Sequence, residues 1–368
     1  MKVLHILHEL KFSGAEIMYA GAAPVFQGCG CQLYVVNTTQ NLGEYAGHFK
    51  QAGFKVLKWP YPNNIFKRWA YYHRVVRYIR REKIDVIHIH DSRLKFGMSY
   101  CAWRGGIKSI YSFHSCFHNP TLTRPYQMLL RWTAKNIFHC TFQSISDSVY
   151  ENELNEYHNK TQLVYNWYNT RKFYPAKDNE KERIRKELGI SDADLVLITV
   201  GGCSEIKRHT DIIKALPDIL KDYPRAVYLH LGCGATLEEE RALAKVLNVA
   251  THVLFCGNQD NVRKYLVASD VYLMPSKFEG ISITTIEAMA CKIPSILYDV
   301  PGLRDFNKNK KCAALIHENY NLIAHSIKEL MTHKQLREEL ASNGYTLVKE
   351  QYDMEKNAKE IYSLYCQK

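Results

Sequence analysis

The chain has 368 residues, 46% of them hydrophobic and 23% charged, a composition that suits a globular protein with two cores. No apolar run approaches the ~20 residues that span a bilayer. The opening Met1 to Glu9 is too short and too interrupted for a signal peptide; it reads as a first strand, and the protein is expected in the cytoplasm. The net charge of +12 is unevenly placed, with 20 Lys and Arg against 10 Asp and Glu in residues 1–169 and 29 against 27 in the rest. The basic first half is expected to face something anionic, and nucleic acid is not the expected partner. Eleven cysteines without a Cys-x-x-Cys pair indicate neither a disulfide framework nor a zinc ribbon, and Cys29-Gly30-Cys31 reads as incidental.

In chain order, Val3 to Leu7 alternates and gives way to a small-residue stretch, Ser13-Gly14-Ala15-Glu16, with a helix expected from about Ile17. This is a strand, loop and helix whose glycine allows close approach of a phosphate or sugar. Further strands are expected at Gln32 to Asn37, Lys55 to Trp59, Val86 to His90, Ser109 to Phe113 and Thr141 to Ser144, with helices between most of them. That alternation argues for a parallel sheet.

Within it, the segment Lys67 to Lys83 places Lys67, Arg74, Arg77 and Arg81 on one helical arc and Trp69, Tyr72, Val75, Val76 and Ile79 on the opposite one. One reading is a surface helix packing on the sheet with a solvated basic arc. The other is a docking face for anionic lipid head groups or a lipid diphosphate. His88-Ile89-His90-Asp91 resembles a metal-binding pattern, but no third or fourth ligand is placed nearby, so no metal is expected. His114 ends a strand and is expected to reach an inter-domain cleft, with a structural histidine as the alternative.

Around Val164 to Pro175 a short apolar strand runs into Asn, Thr and Pro and then into the charged, helical Asp178 to Leu188, which reads as a linker. A second alternation follows, with strands expected at Leu195 to Val200, Ala226 to Leu231, His252 to Phe255, Val271 to Met274 and Ser295 to Tyr298. The expected division is 1–168 together with a final helix at about 352–368, and 169–351. The strand ends of the second half collect Lys207 and Arg208, Gly257 with Asn258, and Glu279. In Phe278 to Ala290, two carboxylates stand eight positions apart, Glu279 in a loop and Glu287 on the second turn of a helix. The amides of Ser282 to Thr285 open that helix, ready for phosphate. Carboxylates for hydroxyls, together with a lysine and helix N-terminal amides for a diphosphate, point to a nucleotide sugar.

These stretches resemble the retaining glycosyltransferases of family 4, which have the two-domain GT-B fold. Ser13 to Glu16 is similar to that family's Gly-Gly-x-Glu loop, and Asn166 to Phe173 to its Asn-Gly-(Val/Ile)-Asp-x-x-x-Phe linker. Gly201 to Lys207 is similar to its Gly-Arg-Leu-x-x-x-Lys loop, and Glu279 to Glu287 matches its Glu-x7-Glu motif. The resemblance implies two Rossmann-like α/β domains facing a central cleft, with the last helix crossing back to the first. It implies a metal-independent, retaining hexosyl transfer from a nucleotide diphosphate sugar, UDP rather than GDP, to a glycan or lipid-linked glycan acceptor. Such a role fits the assembly of a bacterial surface polysaccharide, with peripheral contact to an anionic membrane, and no cofactor beyond the donor is expected.

Glu279 and His114 would be catalytic. Gly14, Lys207, Arg208, Asn258, Gly280, Ile281, Ser282, Ile283, Thr284 and Glu287 would bind the donor, Glu287 through the ribose hydroxyls and Lys207 through the diphosphate. Gly202 departs from the family's arginine, and the adjacent Arg208 is the candidate substitute. The alternatives are a GT-B sugar-nucleotide epimerase, a non-catalytic sugar-nucleotide or membrane-binding protein, and a GT-A enzyme using Asp192-Ala193-Asp194 for a metal.

Overall fold

The computed structural model describes residues 1–116 and 122–367. The chain forms two compact units, Met1–Trp167 with Met354–Lys368, and Tyr168–Asp353. Of the final segment, Lys368 lies outside the described residues.

The first unit is built on a seven-stranded parallel sheet. Its strands are β1 (Lys2–Leu7), β2 (Gln32–Asn37), β3 (Lys55–Lys58), β4 (Val86–Ile89), β5 (Lys108–Phe113), β6 (Thr141–Ser144) and β7 (Gln162–Leu163), in the order β3-β2-β1-β4-β5-β6-β7. β1, β2, β4 and β5 are buried along nearly their whole length because helices cover both faces. The last helix, Met354–Cys366, belongs to this unit. Tyr365 meets His88 Nδ1 at 2.7 Å, and Asn357 donates to the carbonyls of Tyr165 and Asn166. A bidentate Arg131–Glu153 pair, 2.8 Å on each arm and fully buried, fastens the helix Arg124–Asn136 to the helix Asp147–Tyr157.

The second unit is a six-stranded parallel sheet of β8 (Val196–Val200), β9 (Val227–Leu231), β10 (Val253–Gly257), β11 (Val271–Met274), β12 (Ser295–Tyr298) and β13 (Ala314–Ile316), in the order β10-β9-β8-β11-β12-β13. In each sheet the strand order reverses once, between β1 and β4 and between β8 and β11. Ligands of doubly wound sheets bind outside the carboxyl ends of the strands at that point.

Two local expectations are corrected. The first helix starts at Gly14, not near Ile17, because Ser13 stands as an extended N-cap and its hydroxyl bonds the Glu16 carboxylate three residues on. Gly14 is therefore the first helical residue rather than part of a loop. In the helix Ile65–Glu82, the basic arc of Lys67, Arg74, Arg77 and Arg81 is exposed, and Val75 and Ile79 are buried. Trp69, however, is 71% exposed, and Tyr71 is packed in its place. The buried line runs Tyr71, Val75, Ile79 at i, i+4, and Trp69 lies about 120° around the helix from Val75.

Candidate active site

The loop after β8 and the loop after β11 flank the reversal of the second sheet, so their polar residues meet. Lys207 Nζ lies 2.5 Å from Glu279 Oε1, and Ser276 Oγ donates to that same oxygen at 2.7 Å. The Glu279 amide donates to the Pro301 carbonyl at 3.1 Å. Beneath it, Gly302 has φ +80°, and a Cβ there would run into the Glu279 backbone. Only glycine combines that left-handed turn with so close an approach.

Gly280 and Ile281, both buried, lead into the helix Ile283–Ala290. Ser282 is its N-cap, and here the expectation of four open amides is corrected. Ser282 Oγ already accepts from the Thr285 amide at 3.2 Å. Ile283 and Thr284 are left as the first-turn donors that have no intrahelical acceptor. Thr284 Oγ1 meets Tyr272 OH at 2.8 Å, so a tyrosine on β11 fixes the angle at which the helix begins.

Glu287 sits on the second turn, buried, and burial pushes its carboxyl up to about 8, with Lys172 pulling the other way. Arg208 holds φ +51° at the start of the helix His209–Asp222, and its guanidinium reaches Glu318 at 2.6 Å and Asp211 at 3.3 Å. Asn258 is exposed just past β10, the edge strand, which lies two strands from β8.

In the first unit, Gly14 is exposed at the head of the helix that follows β1. His114 follows β5, half-buried, and burial lowers its imidazole to about 4. Its Nε2 meets His90 Nδ1 at 2.9 Å, and His90 Nε2 meets His5 Nδ1 at 3.1 Å. The sequence places no third histidine near His88 and His90; the structure does, because β1 pairs β4 with His5 opposite His88. His5, His88 and His90 form a buried cluster whose ligand atoms lie within 4.8 Å of one another. Each nitrogen of His88 already has a partner, Tyr365 or Ser112, and each of His90 has another imidazole. The arrangement is a hydrogen-bonded chain of rings rather than an open set of ligands.

Two family profiles cover nearly the whole chain: "Glycosyltransferase Family 4" matches residues 12–200 and "Glycosyl transferases group 1" matches residues 180–347. The chain belongs to glycosyltransferase family 4. It is 25% identical over 295 residues to N-acetyl-alpha-D-glucosaminyl L-malate synthase of Bacillus anthracis, spanning 78% of this chain and 75% of that one. It is 24% identical over 252 residues to the UDP-Gal:alpha-D-GlcNAc-diphosphoundecaprenol alpha-1,3-galactosyltransferase of Escherichia coli, spanning 66% and 64%. Its fold matches the crystal structure of Anabaena HepE in complex with UDP, with a TM-score of 0.84 over 99% of both chains at 16% identity. The two doubly wound units are those of the GT-B glycosyltransferases.

In this glycosyltransferase the Asp192-Ala193-Asp194 alternative loses its geometric basis. Those residues precede β8, at the opposite end of the strand from Lys207. Three contributors escape the sequence motifs. Ser276 in the loop after β11 and Tyr272 within it are ordinary residues until the fold aims them at Glu279 and Thr284. Gly302 is announced only by the turn dipeptide Pro301-Gly302 after β12.

Proposed function

We infer that this glycosyltransferase moves a hexosyl group from a UDP-sugar to a hydroxyl of a glycan acceptor carried on a lipid, with retention of configuration and without a metal in the transfer step. The observation that carries the reading is the Lys207–Glu279 pair at the reversal of the second sheet, beside a capped helix start. When the glycosidic bond breaks, negative charge grows on the β-phosphate. Lys207 and the amides of Ile283 and Thr284 are fixed donors for that charge, and they stabilise it without a cation. Glu279, held by Lys207 and Ser276, is assigned the hydroxyls of the transferred sugar, and Glu287 the ribose. Gly280, Ile281 and Ser282 shape the backbone between them, while Arg208 and Asn258 flank the donor. In the first unit, Gly14 is assigned to the donor and His114 to the transfer step.

UDP is favoured as the base carrier because it appears in the name of the galactosyltransferase relative and in the bound state of the fold neighbour. A lipid-linked acceptor is favoured by that relative's diphosphoundecaprenol substrate and by one face of the first unit. There Ile65, Phe66 and Trp69 are exposed among Lys67, Arg74 and Arg77; Tyr126, Leu129 and Trp132 are exposed on the helix Arg124–Asn136. Aromatic side chains ringed by basic ones suit an anionic leaflet, at the cytoplasmic face in this reading. The diphosphoundecaprenol-linked sugar in the Escherichia coli relative's name supports bacterial surface polysaccharide synthesis as the setting of this reading.

The deciding experiment is nucleotide release from a panel of UDP- and GDP-sugars, with and without lipid-linked acceptor. Acceptor-dependent UDP release that added Mg2+ or Mn2+ does not speed supports the reading. Conversion of the donor into its epimer without acceptor supports an epimerase instead, and no release with any donor supports a binding protein.

A further inference from the structure

We propose that Cys203, His209, His230 and Glu240 form a buried tetrahedral site for one zinc ion, which pins both ends of the loop that carries Lys207. The proposal is independent of donor and acceptor identity, and the cation takes no part in the transfer.

Four separate elements of the second unit converge here. Cys203 lies in the loop after β8, His209 opens the helix His209–Asp222, His230 is on β9, and Glu240 is on the helix Leu237–Val246. All four side chains are buried, and their ligand atoms lie within 4.8 Å of one another. His230 Nε2 is 3.9 Å from Cys203 Sγ, 3.1 Å from His209 Nδ1 and 2.7 Å from Glu240 Oε2. His209 Nδ1 is 3.7 Å from Glu240 Oε1. Zinc bonds of about 2.0–2.3 Å set tetrahedral ligands roughly 3.3–3.8 Å apart. The observed separations bracket that range, and small side-chain movements complete it.

Two physical arguments favour a cation over hydrogen bonds alone. Atoms of three residues crowd one imidazole nitrogen, and a single N–H serves only one of them. A buried carboxylate also needs a positive partner. A divalent ion balances one carboxylate and one thiolate, leaving the site neutral among two neutral imidazoles. On loading, the Cys203 thiol releases its proton to solvent, a proton on His230 Nε2 shifts to Nδ1, and four bonds form to the metal. No redox change occurs. Thiolate with imidazole and carboxylate is a zinc donor set, and the absence of an open fourth position marks a structural site. Thr236 Oγ1, 2.7 Å from Glu240 Oε1, already orients the carboxylate from outside the ligand set.

The placement has a purpose. Cys203 and His209 bracket the loop that presents Lys207, and Gly232, at φ +134°, lets the neighbouring strand end press against the Gly201 backbone. A metal joining loop, strand and helix would hold Lys207 in place for its diphosphate partner.

The test is elemental analysis of the full chain purified without chelator, followed by replacement of zinc by Co2+. About one zinc per chain is expected, and the cobalt form should show intense tetrahedral d–d absorption with a thiolate-to-cobalt charge-transfer band. Cys203→Ser should lose the charge-transfer band, and a chelator present during melting should lower the Tm of the wild type but not of that variant. A folded wild-type chain that takes up neither zinc nor cobalt overturns the proposal. So does cobalt uptake without the thiolate band, which would place the ion on imidazoles elsewhere, such as His5, His88 and His90. Both overturning results are read on the wild type, so a variant that fails to fold does not affect them.

Discussion

Lys207 Nζ and Glu279 Oε1 are 2.5 Å apart across 72 residues of sequence, joined because the loops of β8 and β11 meet where the sheet order reverses. The pair holds cation and carboxylate in one place for a ligand that has both phosphates and hydroxyls. Lys207→Ala is expected to weaken UDP binding by roughly 10–100-fold, the worth of one charge-assisted contact to phosphate. Glu279→Gln is expected to leave UDP affinity within a few-fold and to cut acceptor-dependent turnover by about 10²–10³. Calorimetric titration with UDP and steady-state kinetics separate the two, and a Glu279→Gln enzyme with undiminished turnover removes Glu279 from the sugar site.

Glu287 gives a pH signature. Burial holds its carboxyl protonated up to about pH 8 in the free enzyme. A carboxylate accepts from two ribose hydroxyls and a neutral acid does so less well, so binding is linked to loss of one proton. UDP affinity is therefore expected to rise as pH increases toward about 8 and to level off above it. The slope is at most tenfold per pH unit. Glu287→Gln, which cannot ionise, should bind more weakly and with that slope removed; calorimetry at a series of pH values reads both.

The buried imidazoles of the first unit set its acid limit. Burial lowers His5 to about 3 and holds His88 and His90 well below their ordinary value. The unfolded chain therefore binds protons that the fold does not, beginning near the ordinary histidine value of about 6.5. Stability is full above that value and falls as pH drops, with a slope of about 1.4 kcal/mol per pH unit for each such proton. Melting followed from pH 7.5 downwards should show a steep loss in the first unit, and His90→Gln should flatten it. Because His90 Nδ1 also fixes the His114 ring, that variant should lower kcat more than it changes UDP affinity.

What was legible in the sequence follows period and punctuation. Apolar runs ending in polar loops reveal most strands and put Lys207 and Glu279 in strand-end loops and Glu287 on the helix that follows, since those signals are local. β13 has no such signal, because three half-buried residues after the run Lys308 to Lys311 carry no pattern. The sequence offers Ser282 to an open anion site, whereas its hydroxyl caps Thr285, a choice between two uses of the same side chain that only geometry settles. The Cys203, His209, His230 and Glu240 cluster was invisible for a stronger reason. Its ligands come from four elements, and spacing rules find metal sites only where two or more ligands share one turn or strand. His5 joins His90 through strand register, which the sequence does not state.

The exposed aromatic residues supply the last prediction. Phe66 is 87% exposed and Trp69 71% exposed on the helix Ile65–Glu82, and Trp132 is 57% exposed on the helix Arg124–Asn136. Water gains nothing from holding such groups, whereas burying each in a bilayer interface gains roughly 1–3 kcal/mol. Lys67, Arg74 and Arg77 add about 1 kcal/mol apiece near an acidic leaflet. Co-sedimentation with vesicles is expected to be strong with anionic lipid, weak with zwitterionic lipid and reduced by salt. Phe66→Ala with Trp69→Ala should lower binding at every lipid composition, because it removes apolar area. Lys67→Gln with Arg74→Gln should lower it only on anionic vesicles, because it removes charge. Neither pair includes a residue assigned to donor or transfer, so turnover on a short water-soluble acceptor should be unchanged while turnover on a lipid-linked one falls. Binding indifferent to both lipid charge and these four substitutions would assign the face to another partner.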